Sequence, residues 1–160
     1  MSATKHDQDK PRLDLVPGRI LKLVSCAYTA LDTEHLDRAW ERGGKVIDIR
    51  GGAETMLLSI HRSMQQLGVS MIEAQARVME FGALKYGEHN YLQGGFAWSR
   101  LIAAARRHVV LGQGCQPLSI CMLVPDQETD QPHLAHAACM LTFLIEHTLR
   151  GLGENDQWPA

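Results

Sequence analysis

Hydrophobic residues recur along most of the chain at the three- and four-residue spacing of amphipathic helices. One such stripe, at Ile72, Ala76, Met79 and Ala83, predicts a helix over residues 70–86. Similar stripes predict further helices over residues 17–31, 33–43, 53–67, 98–111 and 132–150. The last of these segments is apolar nearly all round, which predicts a central, buried helix.

Local signals set the boundaries between these helices. Ser70 and Glu73 have the spacing of a capping box, and Gly87 is well placed to end the same helix in a left-handed conformation. The β-branched run over residues 45–50, followed by Gly51-Gly52, predicts a short strand. Residues 112–131 predict a long loop, and a loop of that length in a small domain is typically functional.

These elements together predict an all-α fold, a helical bundle of five to six helices. Nothing in the pattern alternates strand with helix, so a parallel sheet is excluded. We expect a flexible arm over residues 1–16, one helical domain over 17–151 and a loose tail over 152–160.

Composition narrows the class of protein further. The chain has 160 residues, a hydrophobic share of 45% and a net charge of −2, which fits one globular domain without a broad basic surface for nucleic acid. The four cysteines form no C-x-x-C pair, and no apolar run is long enough to span a membrane. The first 14 residues lack the apolar core of a secretion signal. We therefore expect a cytoplasmic protein with reduced cysteines.

Polar and charged side chains gather at the predicted helix ends. Familiar phosphate-binding and hydrolase motifs are absent, including G-x-x-x-x-G-K-[ST], G-x-S-x-G and H-E-x-x-H. Acids suit a hard cation such as Mg²⁺, basic groups suit phosphate oxygens and aromatic rings suit a base, so this set indicates hydrolysis of a nucleotide phosphate. Its members are Glu73, Glu80, Lys85, Tyr86, Asn90, Arg107, His108, Asp126, Glu128, Asp130, His133 and His136.

Each candidate also has a purely structural explanation. Glu73 could only cap its helix, and His108 could be a hydrogen-bonded core residue. The acids of residues 126–130 could cap the last helix and complement its dipole. Lys10 and Arg12, which flank Pro11, could reach back to a ligand or belong to a simple linker.

Four segments, in order, resemble a known family: K-P-R-L-D-L-V-P at 10–17, F-G-A-L-K-Y-G-E-H-N-Y-L-Q-G-G at 81–95, S-R-L-I-A-A-A-R-R-H at 99–108 and D-Q-E-T-D-Q-P-H-L-A-H-A at 126–137. Their combination resembles the phage-associated dATP/dGTP diphosphohydrolases, relatives of the MazG-like all-α pyrophosphohydrolases. The resemblance implies cleavage between the α and β phosphates of a purine deoxynucleoside triphosphate, with Mg²⁺ or Mn²⁺ as cofactor.

The resemblance and the residue chemistry together give three sets of candidate site residues. The catalytic candidates are Lys85, Glu128 and His133. The nucleotide-binding candidates are Lys10, Arg12, Lys85, Tyr86, Asn90, Tyr91, Arg107, His108 and His136. The metal-ligand candidates are Glu73, Glu80, Asp126, Glu128 and Asp130.

The sequence also departs from the family pattern. Tyr91 stands where a tryptophan usually follows the asparagine, and residues 128–130 read E-T-D where E-S-G or a similar sequence is usual. The E-x-x-E and E-x-x-D pairs of MazG-type enzymes are not visible, and residues 18–68 look longer than the family needs.

Two other functions stay open. One is a metal phosphohydrolase built on His108, His133, His136 and Asp130, which would release triphosphate or inorganic phosphate. The other is a non-catalytic helical protein that binds nucleotides or a partner. For the protein itself we expect a small-molecule nucleotide substrate, a purine deoxynucleoside triphosphate, with no nucleic acid and no membrane as partner, and a homo-oligomer.

Overall fold

The computed structural model describes residues 10–24, 34–112 and 124–157. Within these ranges the backbone is mostly helical, and strand pairing is limited to two isolated bridges. The α-helices are α1 (Gly18–Val24), α2 (Glu34–Glu41), α3 (Val46–Gln66), α4 (Met71–Tyr86), α5 (Trp98–Gly112) and α6 (His133–Arg150). Two 3₁₀ helices, Leu13–Leu15 and Asn90–Gln93, precede α1 and follow α4. The predicted all-α bundle is confirmed.

Helix α6 lies at the centre of the bundle. It packs against α3, α4 and α5, and Leu134, Leu141 and Leu144 along it are completely buried. Ala135 and Ala138 are equally buried, and their small side chains let the neighbouring helices approach closely. The prediction of a central last helix is therefore confirmed.

The predicted strand over residues 45–50 is wrong, because α3 already begins at Val46. The Asp48 carboxylate accepts a hydrogen bond from the Lys45 backbone N–H at 3.2 Å, which satisfies a donor at the start of the helix. The two glycines lie inside α3. A Cβ on Gly52 would lie 2.6 Å from the Cα of Leu36, so this glycine permits close packing of α2 on α3.

The ends of α4 follow the prediction in position but not in detail. Ser70 is the N-cap residue, yet its side chain makes no capping hydrogen bond, so the predicted capping box is wrong. Gly87 ends the helix at φ 95° and ψ 150°, and its N–H donates to the Ala83 carbonyl at 2.8 Å. This backbone has the positive φ that favours glycine, but its extended ψ differs from the left-handed helical cap that was expected.

Residues 152–157 are held against the start of α5, whereas the sequence predicts a loose tail over 152–160. Trp98 donates from its indole Nε1 to the Leu152 carbonyl at 3.0 Å, and from its backbone N–H to the Glu154 carbonyl at 2.9 Å. The Asp156 carboxylate accepts from the Ser99 backbone N–H at 2.9 Å, which caps α5.

Several sequence predictions lie outside the described residues. These are the far half of the first predicted helix, most of the predicted loop over 112–131, and Cys26, Cys115 and Cys121. Cys139 is described and is buried with a free thiol. Among the described helices, none combines the length and the apolar character that a bilayer crossing requires.

Candidate functional site

A cleft of about 430 Å³ opens between α4 and α6. Its volume lies within the roughly 300–1,000 Å³ range of small-molecule sites. Lys85, Tyr86 and Asn90 line one side, while Glu128 and His136 line the other. The lysine-tyrosine segment and the acid-histidine segment, which are distant in sequence, therefore border the same cavity.

One ion pair joins the two sides of the cleft. Lys85 Nζ lies 3.0 Å from Glu128 Oε1, and both side chains are about half exposed. The same ammonium lies 5.2 Å from the ring centroid of Tyr86, within range of a cation–π interaction. The hydrogen bond to Glu128, and next that to Tyr86, raises the pKa of Lys85, so the ammonium stays charged.

The turn after α4 carries aromatic side chains into the cleft. His89 adopts the left-handed region at φ 56°, which turns the chain into the 3₁₀ helix that begins at Asn90. The ring of Tyr91 is buried and stacks on Phe143 at a centroid distance of 4.2 Å. The backbone is fixed there because His147 Nε2–H donates to the Tyr91 carbonyl at 2.6 Å. Burial raises the pKa of Tyr91 to about 12, so its phenol remains protonated.

The N-terminal segment docks at the same end of α4. Arg12 Nη1 lies 2.5 Å from Glu88 Oε1, and its Nη2 lies 2.6 Å from Asp14 Oδ2. Leu15 is buried and lines the cleft. Arg12 thus lies near the rim without lining the cavity. Lys10, two residues before it in the chain, is exposed.

The acidic turn over residues 126–130 is shaped by its own hydrogen bonds. Asp126 Oδ1 accepts from the backbone N–H groups of Glu128 and Thr129 at 3.0 and 3.1 Å. Partial burial opposes ionisation of Asp126, but the Thr129 amide and the nearby His136 outweigh it and lower the pKa of this carboxyl. The turn is closed by the His133 N–H, which donates to the Val124 carbonyl at 3.0 Å. The turn therefore presents a fixed carboxylate at the start of α6.

Three histidines meet beside this turn. His108 Nδ1 lies 3.1 Å from His133 Nδ1, and the rings of His108 and His136 stack at a centroid distance of 4.7 Å. His136 Nε2 shares a hydrogen bond of 2.7 Å with the Thr129 hydroxyl. Burial, and then the proximity of His136 and His133, lowers the pKa of His108 to about 4. At neutral pH, His108 is an uncharged imidazole suited to metal ligation.

The remaining candidates lie away from the cleft. Glu73 is exposed in the first turn of α4, and Glu80 is half-buried farther along that helix. Arg107 is exposed on α5. Its neighbour Arg106 instead links α5 to α2, because Arg106 Nε lies 2.7 Å from Asp37 Oδ1. None of Glu73, Glu80 and Arg107 lines the cleft.

Sequence reasoning missed several residues that line the cleft. Met140 and Phe143 form one face of α6 together with His136. Their spacing, four and then three residues apart, is the helical signal that could have found them. Thr129, which also lines the cleft, had no comparable signal because its position depends on the folded turn.

The fold and the cleft define a class: an all-α protein with an ion-paired, aromatic-walled cleft beside a histidine-aspartate cluster. The family model described as dATP/dGTP diphosphohydrolase, N-terminal, matches residues 61–157, more than half of the chain. The chain belongs to this family, which confirms the resemblance seen in its motifs. The matched region contains α4, α5, α6 and most of the cleft, while the segment around Lys10 and Arg12 lies outside it. No curated protein and no solved structure matches the chain.

Proposed function

We propose that this protein hydrolyses purine deoxynucleoside triphosphates, dATP or dGTP, to the monophosphate and pyrophosphate in a metal-dependent reaction. The observation that carries this proposal is the shared cleft. A lysine, a carboxylate and stacked aromatic rings border one cavity of nucleotide-binding size in a chain of the dATP/dGTP diphosphohydrolase family.

In this proposal the triphosphate lies at the polar rim and the purine lies against the aromatic wall. Lys85 is half exposed, and its ion pair with Glu128 lies at the rim, so it can exchange Glu128 for a phosphate oxygen. Tyr91 and Phe143 supply an apolar surface on which a base can stack. Asn90 supplies an amide for hydrogen bonds to the base or sugar.

Release from Lys85 leaves the Glu128 carboxylate free to accept a proton. We assign it the role of general base. The oxygen of a water molecule attacks the α phosphorus, its proton passes to Glu128, and the bond from the α phosphorus to the bridging oxygen breaks. Pyrophosphate leaves with the bonding electrons, and Lys85 stabilises negative charge on the phosphoryl oxygens.

The acidic turn fits a divalent cation by the chemistry of its donors. Asp126, Glu128 and Asp130 present carboxylates within five residues, and such oxygens are the ligands that Mg²⁺ and Mn²⁺ prefer. A bound cation supplies charge neutralisation for the triphosphate and a lower pKa for water. Glu73 and Glu80 receive no ligand role here because they lie on α4, outside the acidic turn. His133, the third catalytic candidate, is grouped with Asp126 because its Nδ1 lies 3.9 Å from Asp126 Oδ2.

Product analysis tests this proposal directly. The full-length protein is incubated with each deoxynucleoside triphosphate and Mg²⁺ or Mn²⁺, and the products are separated by anion-exchange chromatography. We expect monophosphate and pyrophosphate from dATP or dGTP. Release of triphosphate or inorganic phosphate would instead support the histidine-aspartate phosphohydrolase. Nucleotide binding without turnover would support the non-catalytic binding protein.

We also propose that the chain forms a homo-oligomer. Among the described residues, Leu84, Val110 and Ile47 are large apolar side chains with most of their surface exposed. A second copy that covered part of this surface would remove apolar area from water. Light scattering coupled to gel filtration should give a multiple of the 17.8 kDa chain mass, and a monomer mass at micromolar concentration would contradict the proposal.

A further inference from the structure

Three side chains from separate elements converge beside the cleft. His108 comes from α5, Asp126 from the acidic turn and His133 from the first turn of α6. One ligand atom from each lies within 4.8 Å of the other two. We propose that these three residues form a site for a transition-metal ion, which uses two imidazole nitrogens and would share Asp126 with the all-carboxylate Mg²⁺ site proposed above.

The separation of the two imidazole nitrogens fits a shared ion. Two nitrogens that each lie about 2.1 Å from one metal, at angles of about 90–110°, are separated by about 3.0–3.4 Å. The Nδ1 atoms of His108 and His133 are 3.1 Å apart. A small displacement of the Asp126 side chain would complete the group, because its Oδ2 lies 3.9 Å from His133 Nδ1.

The surrounding contacts hold these ligands in position. Asp126 uses Oδ1 to accept two backbone N–H groups, so Oδ2 is directed toward His133. His136 engages Thr129 through Nε2 and stacks on the His108 ring, which supports that ring. Such outer contacts orient ligands and strengthen metal binding.

The donor set determines the class of metal. Imidazole nitrogens favour Zn²⁺, Co²⁺ and other transition metals, whereas Mg²⁺ prefers oxygen ligands and retains water. Three protein ligands leave a coordination position open, as in catalytic zinc sites. His136 contacts His108 and also lines the cleft, so the site adjoins the proposed substrate position. Only the use of the metal in catalysis rests on the proposed function; its binding does not.

Cobalt binding tests this site without any nucleotide. The full-length protein is freed of metal with a chelator and titrated with Co²⁺ while the visible absorption of the ion is followed. We expect one equivalent to bind per chain, Zn²⁺ to displace it, and a large excess of Mg²⁺ to leave it bound. Loss of a residue that only orients a metal ligand weakens metal binding by roughly 10–100-fold. His133→Asn and Asp126→Asn remove a ligand itself, so each should weaken Co²⁺ binding by at least that factor.

His35→Asn is the matched control, because this histidine is exposed on α2, outside the cluster. It should bind Co²⁺ like the wild type. Circular dichroism checks that each variant is folded, and His108→Asn replaces His133→Asn if the latter does not fold. Absence of Co²⁺ absorption in the wild type, or equal affinity in wild type and folded ligand variants, would overturn the inference. Pyrophosphate release has no part in this readout, so the two proposals can fail separately.

Discussion

Lys85 and Glu128 are exposed enough that their ion pair adds little to folding. Their side chains are 49% and 57% exposed, so water and salt screen the attraction between them. Their position is better explained by the cleft, where a ligand with several negative charges can displace Glu128 from the lysine. A substitution at either residue should therefore lower activity while leaving the stability of the fold nearly unchanged.

Lys85→Ala should lower kcat/KM for the preferred purine nucleotide by roughly 10²–10³-fold, as loss of a charge-stabilising donor does. Steady-state kinetics measure this effect, and thermal unfolding should show a melting temperature close to that of the wild type. Lys45→Ala, at the exposed start of α3, is the control and should retain full activity. Equal kcat/KM in the two variants would remove Lys85 from the site.

His61 belongs to a buried chain of polar side chains that links three helices. His61 Nε2–H donates to Gln75 Oε1 at 2.9 Å, and Gln75 Nε2 donates to the Thr142 hydroxyl at 2.7 Å. Burial lowers the pKa of His61 to about 4, from an ordinary value of 6.5. The imidazole is therefore neutral in the folded state.

This network predicts loss of stability in mild acid. Between pH 6.5 and 4 the unfolded chain binds a proton at residue 61 that the folded chain does not, so the free energy of unfolding should fall by about 3 kcal/mol as the pH drops. Urea unfolding at several pH values measures this slope. His61→Gln should flatten it in part, because His108 adds a change of the same sign. An unchanged slope in His61→Gln would contradict the assignment.

Helices α2 and α3 approach each other closely at one glycine. A Cβ on Gly52 would lie 2.6 and 2.8 Å from the Cα and N of Leu36, which are backbone atoms with little freedom to move. A Cβ on the neighbouring Gly51 would meet nothing within 4 Å. The pair offers a matched test of this contact.

Gly52→Ala should destabilise the protein by roughly 1–3 kcal/mol, the usual cost of overpacking a well-packed core. Gly51→Ala should instead stabilise it by about 0.5–1 kcal/mol, because alanine favours a helix interior. Chemical denaturation of both variants measures the difference. A Gly52→Ala protein as stable as Gly51→Ala would show that α2 does not pack at this position.

The helices were predictable from the sequence where their apolar stripes are regular, as in α4 and α6. The start of α3 was not, because its β-branched residues and paired glycines resemble a strand with a break. Only the packing of Gly52 on Leu36 shows why a glycine is needed at position 52. The attachment of residues 152–157 was also hidden, since it depends on Trp98 and Asp156 meeting across the fold.

Across the whole molecule, the sequence predicted that polar candidates gather at helix ends, and the structure brings two such ends, at Lys85 and at Glu128, to one cleft. The sequence grouped His108 and His133 with Asp130 as one possible metal site, whereas in the structure Asp126 lies within reach of both histidines. The choice of acid could not be predicted, because it depends on how the acidic turn folds. The aromatic wall was partly visible in Tyr91, but its partner Phe143 depends on the same packing.

A crystal structure with a non-hydrolysable dATP analogue and Mn²⁺ tests the central claim most directly. We expect the phosphates beside Lys85 and Glu128, and the base beside Tyr91 and Phe143. An analogue bound on any other surface, with the cleft between α4 and α6 empty, would contradict the claim that one nucleotide occupies both walls.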